Sequence, residues 1–243
     1  MERVAILGAT GTIGSALARR LVSHGRSLLL LGRNAEGLRL LGNELDQPFA
    51  AVDLQSSAPL ETVLTESAAT DGGFSGLVNC IGSVLLKPAH ATSDAEFRQV
   101  VETNLFTSFA TVRAGAKVLR ERGGSVVLFA SAAAEVGIAN HEAIAAAKAG
   151  IIGLSRSAAA TYAPQNVRFN VVSPGLVRTE LTRRIWDNSA AASASMAMHA
   201  LGRLGEAEQV ASLVEWLLTA ENDWITGQVI GIDGGLGHVL PRK

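Results

Sequence analysis

The sequence predicts a doubly wound α/β fold, a parallel sheet of about seven strands between two helical layers, in one domain spanning 1–243. Three observations carry that expectation. Short apolar runs alternate with helical periodicity along the chain, the first run opens onto glycines at three-residue spacing, and no linker, low-complexity tract or internal repeat interrupts the alternation. With 48% hydrophobic residues, 243 residues are ample for one sizeable core.

Val4–Leu7 reads as a buried strand, and Gly8, Gly11 and Gly14 follow before Ala16, Leu17 and Leu21 take up helical spacing. Such a junction suits a phosphate. The N–H groups of a helix start are unpaired, the dipole end is positive, and glycine lacks the Cβ that would hold a pyrophosphate away. Ser27–Leu31 is a second strand and ends at Gly32-Arg33-Asn34. In a dinucleotide fold, a carboxylate about 20 residues after the glycines accepts from the ribose 2′-OH. That carboxylate is missing here. Gly32 leaves room, and Arg33, with Asn34 beside it, offers a guanidinium fork to a 2′-phosphate, which favours NADP over NAD; the alternative is a solvated turn residue.

Phe49–Val52 makes a third strand closed by Asp53-Leu54, where Asp53 can accept from an adenine amino group or cap the next helix. Gly76–Cys80 is the fourth; Asn79, polar in an apolar run, needs partners inside the sheet or on a ligand. One long helix is expected from Asp94 to about Arg122, with Phe97, Val100, Val101, Leu105, Phe109, Val112, Ala116 and Leu119 as its apolar stripe. Asn104 lies on that stripe, either bonded to neighbouring main chain or ordering water beside a reaction centre. Gly124–Ala130 leads to Ser131, and a helix from about His141 to Tyr162 carries Lys148 in the small-residue stretch AIAAAKAG, which implies close packing against a helix or a cofactor. Val167–Val172 precedes Ser173-Pro174-Gly175, and Gln228–Ile232 precedes Asp233-Gly234-Gly235. Between Glu180 and Arg203 the periodicity degrades, marking a candidate mobile substrate lid at about 180–203, with Trp186, Met196 and Met198 as an apolar wall or as packing.

With 21 basic and 22 acidic residues, the net charge of −1 gives no footprint for nucleic acid or an anionic membrane. A small-molecule partner is the expectation, with no metal. Cys80 is the only cysteine, so no internal disulfide forms, and no apolar run approaches a membrane span. Together these point to a cytoplasmic protein.

The glycine turn, VNCIG at Val78 to Gly82, Asn104, Ser131, Lys148, SPGLVRT at Ser173 to Thr179 and ITGQVIGIDGG at Ile225 to Gly235 resemble the short-chain dehydrogenase/reductase family over essentially the whole chain. The resemblance implies a Rossmann-like fold and an oxidoreductase. It implies that Thr10, Gly11, Thr12 and Ile13 cradle the pyrophosphate, that Asp53 and Leu54 contact adenine, and that Asn79 lies beside the cofactor's ribose. Pro174, Gly175, Val177 and Thr179 would flank the nicotinamide, Lys148 would bond its ribose, Ser131 would hold the substrate oxygen, and Asn104 would support a water chain to Lys148. A homodimer or homotetramer is expected by analogy.

One position departs from the family pattern. Most members carry a tyrosine proton donor four residues before the lysine, and here that residue is Ile144. General acid catalysis contributes roughly 10²- to 10⁴-fold. In the related enoyl-thioester reductases the tyrosine stands seven residues before the lysine, which here is His141, and i,i+7 positions share a helix face. His141 is therefore either a proton donor acting with Ser131 on a carbonyl or enoyl thioester, or a solvated residue at a helix start; Glu142 is a further candidate. Two functions stand: an NADP-dependent oxidoreductase, or a non-catalytic cofactor-binding protein or subunit. Arg183 and Arg184 can meet an anionic substrate or acidic carrier, or form a solvated face.

Overall fold

The computed structural model describes residues 3–53, 56–71 and 73–240. Seven strands, β1 (Arg3–Leu7), β2 (Ser27–Gly32), β3 (Phe49–Ala51), β4 (Gly76–Asn79), β5 (Gly124–Phe129), β6 (Val167–Pro174) and β7 (Val229–Ile232), form one sheet in the order β3-β2-β1-β4-β5-β6-β7. Every pairing is parallel. The order reverses between β1 and β4, so the connections leaving their paired carboxyl ends pass to opposite faces of the sheet, the place where α/β sheets bind ligands.

The apolar runs are continuous because both sheet faces are covered. Alternate residues of each strand enter different layers. Ala5, Leu7, Leu29 and Leu31 pack with α3 (Ala58–Asp71), α5 (Thr107–Val118) and α6 (Glu142–Tyr162) through Leu60, Leu64, Ala110, Ala114 and Ile151. Val4, Ile6, Leu28 and Leu30 pack on the other face with α1 (Thr12–Ser23), α2 (Ala35–Leu45) and α9 (Ala207–Leu218) through Leu17, Leu21, Leu38, Val210 and Val214.

At the amino end of β6, the buried Arg168 guanidinium donates to the carbonyl oxygens of Leu217 (3.0 Å), Thr219 (3.5 Å) and Ile225 (3.2 Å), gathering the carboxyl end of α9 and the approach to β7. A cation suits carbonyls left unpaired at a helix end.

Two expectations are corrected. The long helix starting at Asp94 is interrupted: α4 (Asp94–Val101) passes through one π turn, Glu102–Phe106, into α5, and the run stops at Val118 rather than Arg122. There the chain turns away through Gly123, whose φ is +75° and whose N–H donates to Leu119 O. On the expected stripe Val100, Val112, Ala116 and Leu119 are buried, while Phe97 and Phe109 are each 44% exposed. The segment read as irregular is largely helical, with α7 (Arg183–Trp186) and α8 (Ser189–Met198). Its alanines form helix readily yet mark no face, which is why periodicity gave no signal.

Candidate active site

The glycine turn is held by backbone bonds: the N–H groups of Gly8 and Ala9 both donate to Leu31 O, at 2.8 and 3.1 Å, and that of Gly11 donates to Gly8 O at 3.0 Å. Gly8 adopts φ +75°, and a Cβ on Gly14 would stand 2.3 Å from Gly8 O, so only glycine lets α1 start this close to β1. Gly11 caps α1 with no side-chain bond, and the first turn carries no acidic residue. The start of α1 is thus electropositive and open, which fits a pyrophosphate cradled by Thr10, Gly11, Thr12 and Ile13. The Thr12 hydroxyl accepts from Glu180 N at 3.2 Å, tying the segment after β6 to this turn.

At the end of β2, Gly32 is buried and Arg33 exposed, with no hydrogen-bond or ion-pair partner for Arg33 among the described residues. Asn34 is committed elsewhere: its Oδ1 accepts from Gly37 N at 3.0 Å and caps α2. Asp53 follows β3 and is exposed, while Leu54 lies outside the described residues.

The carboxyl ends of β4, β5 and β6 converge on a cleft of about 140 Å³ whose lining includes Ile13, Gly82, Ser131, Ile144, Lys148 and Thr179. Pro174, Gly175 and Val177 also reach it. Asn79 is fully buried; its amide donates to Thr107 Oγ1 at 3.3 Å and its Oδ1 accepts from Ile81 N at 3.0 Å, shaping the strand-to-loop turn. Asn104, on the π turn, accepts from Ser83 N at 3.1 Å and donates to Ser83 Oγ and Val100 O, both at 2.9 Å. Its side chain thus ties the loop after β4 to the π turn. Ser131 Oγ accepts from Ala133 N at 3.3 Å, which leaves its hydroxyl proton available to a ligand oxygen.

Lys148 is buried and donates to Phe129 O at 2.9 Å. Burial pushes its ammonium down to about 8. Gly82 separates it from Asn104, since a Cβ there would stand 3.6 Å from Lys148 Nζ and 3.3 Å from Asn104 Oδ1. The small residues around Lys148 are explained by helix packing: a Cβ on Gly150 would stand 2.9 Å from Leu105 Cδ2.

Ile144 is buried with Val100, Ala143 and Ala147, and it contributes to the cleft wall one helical turn before Lys148. His141 is not among the cleft-lining residues. It caps α6 with φ −111° and ψ 11°, and its Nδ1 bonds Ala139 O at 2.8 Å. Glu142, next to it, is exposed.

Sequence reasoning missed two supports of the loop after β6. His199, 2% exposed, lies with Nδ1 2.7 Å from Ser195 O and Nε2 3.1 Å from Leu176 N, so the ring is the Nδ1–H tautomer, donating to the carbonyl and accepting from the amide. Thr182 donates to Val177 O at 2.6 Å and pairs with Thr179. A histidine in an alanine-rich stretch was the only available signal. Trp186 donates to Thr179 O at 2.9 Å, and Arg183 pairs with Glu180 at 3.1 Å. No His/Cys/Asp/Glu group among the described residues could hold a metal, and no helix there is long and apolar enough to cross a membrane.

The family model described as enoyl-(acyl carrier protein) reductase matches residues 8–237. The 3-oxoacyl-[acyl-carrier-protein] reductase FabG of Salmonella typhimurium is 31% identical over 234 residues, covering 95% of each chain. Among solved structures, levodione reductase superposes with a TM-score of 0.92 at 29% identity over 98% of both chains. A short-chain type dehydrogenase/reductase from Mycobacterium ulcerans gives 0.93 at 28% identity over 97% of this chain and 90% of that one.

Proposed function

Because the chain belongs to the short-chain dehydrogenase/reductase family, we propose that it is an NADP-dependent oxidoreductase acting on a carbonyl or an enoyl thioester. The observation that carries this reading is the single cleft joining Ile13 of the glycine-turn helix to Ser131, Lys148 and the Pro174–Thr179 segment. The dinucleotide, when bound, supplies the hydride. The chain's own residues bind and orient: the start of α1 takes the pyrophosphate, Asp53 lies toward adenine, Asn79 fixes the turn beside the ribose, and Lys148 bonds the nicotinamide ribose. Pro174, Gly175, Val177 and Thr179 back the nicotinamide ring. The Ser131 hydroxyl holds the substrate oxygen and polarises its carbon toward hydride.

Relatives of the chain include 3-oxoacyl-[acyl-carrier-protein] reductases, and the cleft offers apolar walls at Val84, Ile144 and Leu181, which suit an acyl chain. The 180–203 segment serves as the lid over it. Phe97 and Phe109 leave an apolar face on α4 and α5 that suits a second copy of the chain.

The test is a titration with NADPH and NADH followed by turnover on a panel of carbonyls and enoyl thioesters. NADPH-dependent turnover is the expected result. Tight NADPH binding with no turnover on any substrate would instead leave a cofactor-binding protein. Arg33→Ala is expected to weaken NADPH about 10- to 100-fold and NADH hardly at all, since charge-assisted bonds to a phosphate are worth about 1.5–3 kcal/mol. Equal losses for both nucleotides would refute 2′-phosphate recognition by Arg33.

A further inference from the structure

We propose that Lys148 is itself the proton donor of the reaction, delivering a proton from Nζ to the substrate oxygen held by Ser131. The inference rests on the reductase reading above and adds the source of the proton.

Geometry supports it first. At the position one turn before Lys148, Ile144 contributes only hydrocarbon to the cleft. Of the described residues lining the cleft, Lys148 and Cys80 alone can titrate, and none is a carboxylate or an imidazole. His141 is turned to Ala139 O outside it. Lys148 comes from α6, and the elements facing it present Asn104 from the π turn, Phe129 O and Ser131 from β5 and its end, Gly82 after β4 and Thr179 after β6, none of them charged. Of its three N–H groups, one donates to Phe129 O, leaving two for ligands.

Chemistry agrees. An ammonium of ordinary basicity is a weak acid at neutral pH, but burial among uncharged groups moves this one to about 8, near the operating range that favours general acids. The Cys80 thiol, pushed up to about 12 by desolvation, is a much poorer donor. In the step, hydride from the reduced dinucleotide forms the new C–H bond, the carbonyl π pair moves to oxygen, and an Nζ–H bond breaks as the O–H bond forms. The products are an alcohol, the oxidised dinucleotide and a neutral Lys148 amine, which regains its proton from solvent before the next turnover.

The experiment uses the full chain, saturating NADPH and a carbonyl that it reduces. Lys148→Arg keeps a cation able to bond ribose hydroxyls, but a guanidinium with a pKa above about 12 releases no proton near neutrality. The expected result has two parts, both read at saturating NADPH so that a change in nucleotide affinity does not enter. The kcat of Lys148→Arg drops by about 10² or more. Wild-type kcat falls about tenfold per pH unit above about 8, because the protonated form is the active one. A Lys148→Arg protein with near-normal kcat, or a wild-type kcat level up to about pH 10, the ordinary lysine range, overturns the assignment and leaves the reductase reading standing. Absence of turnover on every substrate overturns both. Should thermal melts show Lys148→Arg unfolded, the wild-type pH profile decides alone, a falling limb supporting the assignment and a level one overturning it.

Discussion

Gly14→Ala is expected to lose dinucleotide binding by about 10²-fold or more and to melt at a lower temperature, because overpacking against rigid neighbours costs about 1–3 kcal/mol. The added Cβ would meet Gly8 O at 2.3 Å and Ala9 Cα at 3.0 Å, and both are backbone atoms of the turn itself. They can yield only by moving α1 away from β1. That movement pulls the N–H groups of the helix start off the pyrophosphate position and loosens the bonds from Gly8 and Ala9 to Leu31 O. Gly11→Ala is the informative partner. Its Cβ would meet only Gly8 O, at 3.3 Å, on an exposed residue, so the fold should tolerate it while the methyl group crowds the bound phosphate. Calorimetric titration with NADPH and a melting curve for each variant separate the two effects. A Gly14→Ala protein that binds NADPH as the parent does would remove the glycine turn from the site.

Ile144→Tyr is the second large expectation, and it runs the other way: kcat on carbonyl substrates should rise by about 10²-fold, the low end of what a general acid contributes, since Lys148 already supplies a proton. Ile144 is buried beside Ala147 of its own helix and Val100 of α4, but its side chain also reaches the cleft, so a phenol there can direct its hydroxyl toward Ser131 and Lys148. The larger ring costs stability of about 1–3 kcal/mol where it overfills the wall, visible in the melting temperature. The gain should be greatest above pH 8, where the parent's ammonium is depleted. A folded, NADPH-binding Ile144→Tyr protein with unchanged kcat across that range would show that the proton is not what limits the parent.

Much of the architecture was legible because both its signals are local. β1 is a run of apolar residues ending in glycines, and seven such runs separated by helical spacing admit a parallel, doubly wound sheet with few alternatives. The gathering of Ser131, Lys148 and the segment after Pro174 follows from the same topology, since each stands at or faces a strand's carboxyl end. What escaped was whatever depends on one extra residue or on uniform composition. A single inserted position makes the π turn at Asn104, and nothing in the residue types announces it. The alanines of α8 fit any face, so they gave no period. His141 caps the start of α6, with its ring bonded to Ala139 O and outside the cleft lining.

The Arg168 anchorage has a further implication for how the protein tolerates change. All seven strands point the same way, so the guanidinium that clamps Leu217, Thr219 and Ile225 belongs to the floor of the molecule, while every group that would touch a nucleotide belongs to its roof. Roof loops can therefore be lengthened, trimmed or recoloured in charge to suit a new compound without disturbing what keeps the floor closed.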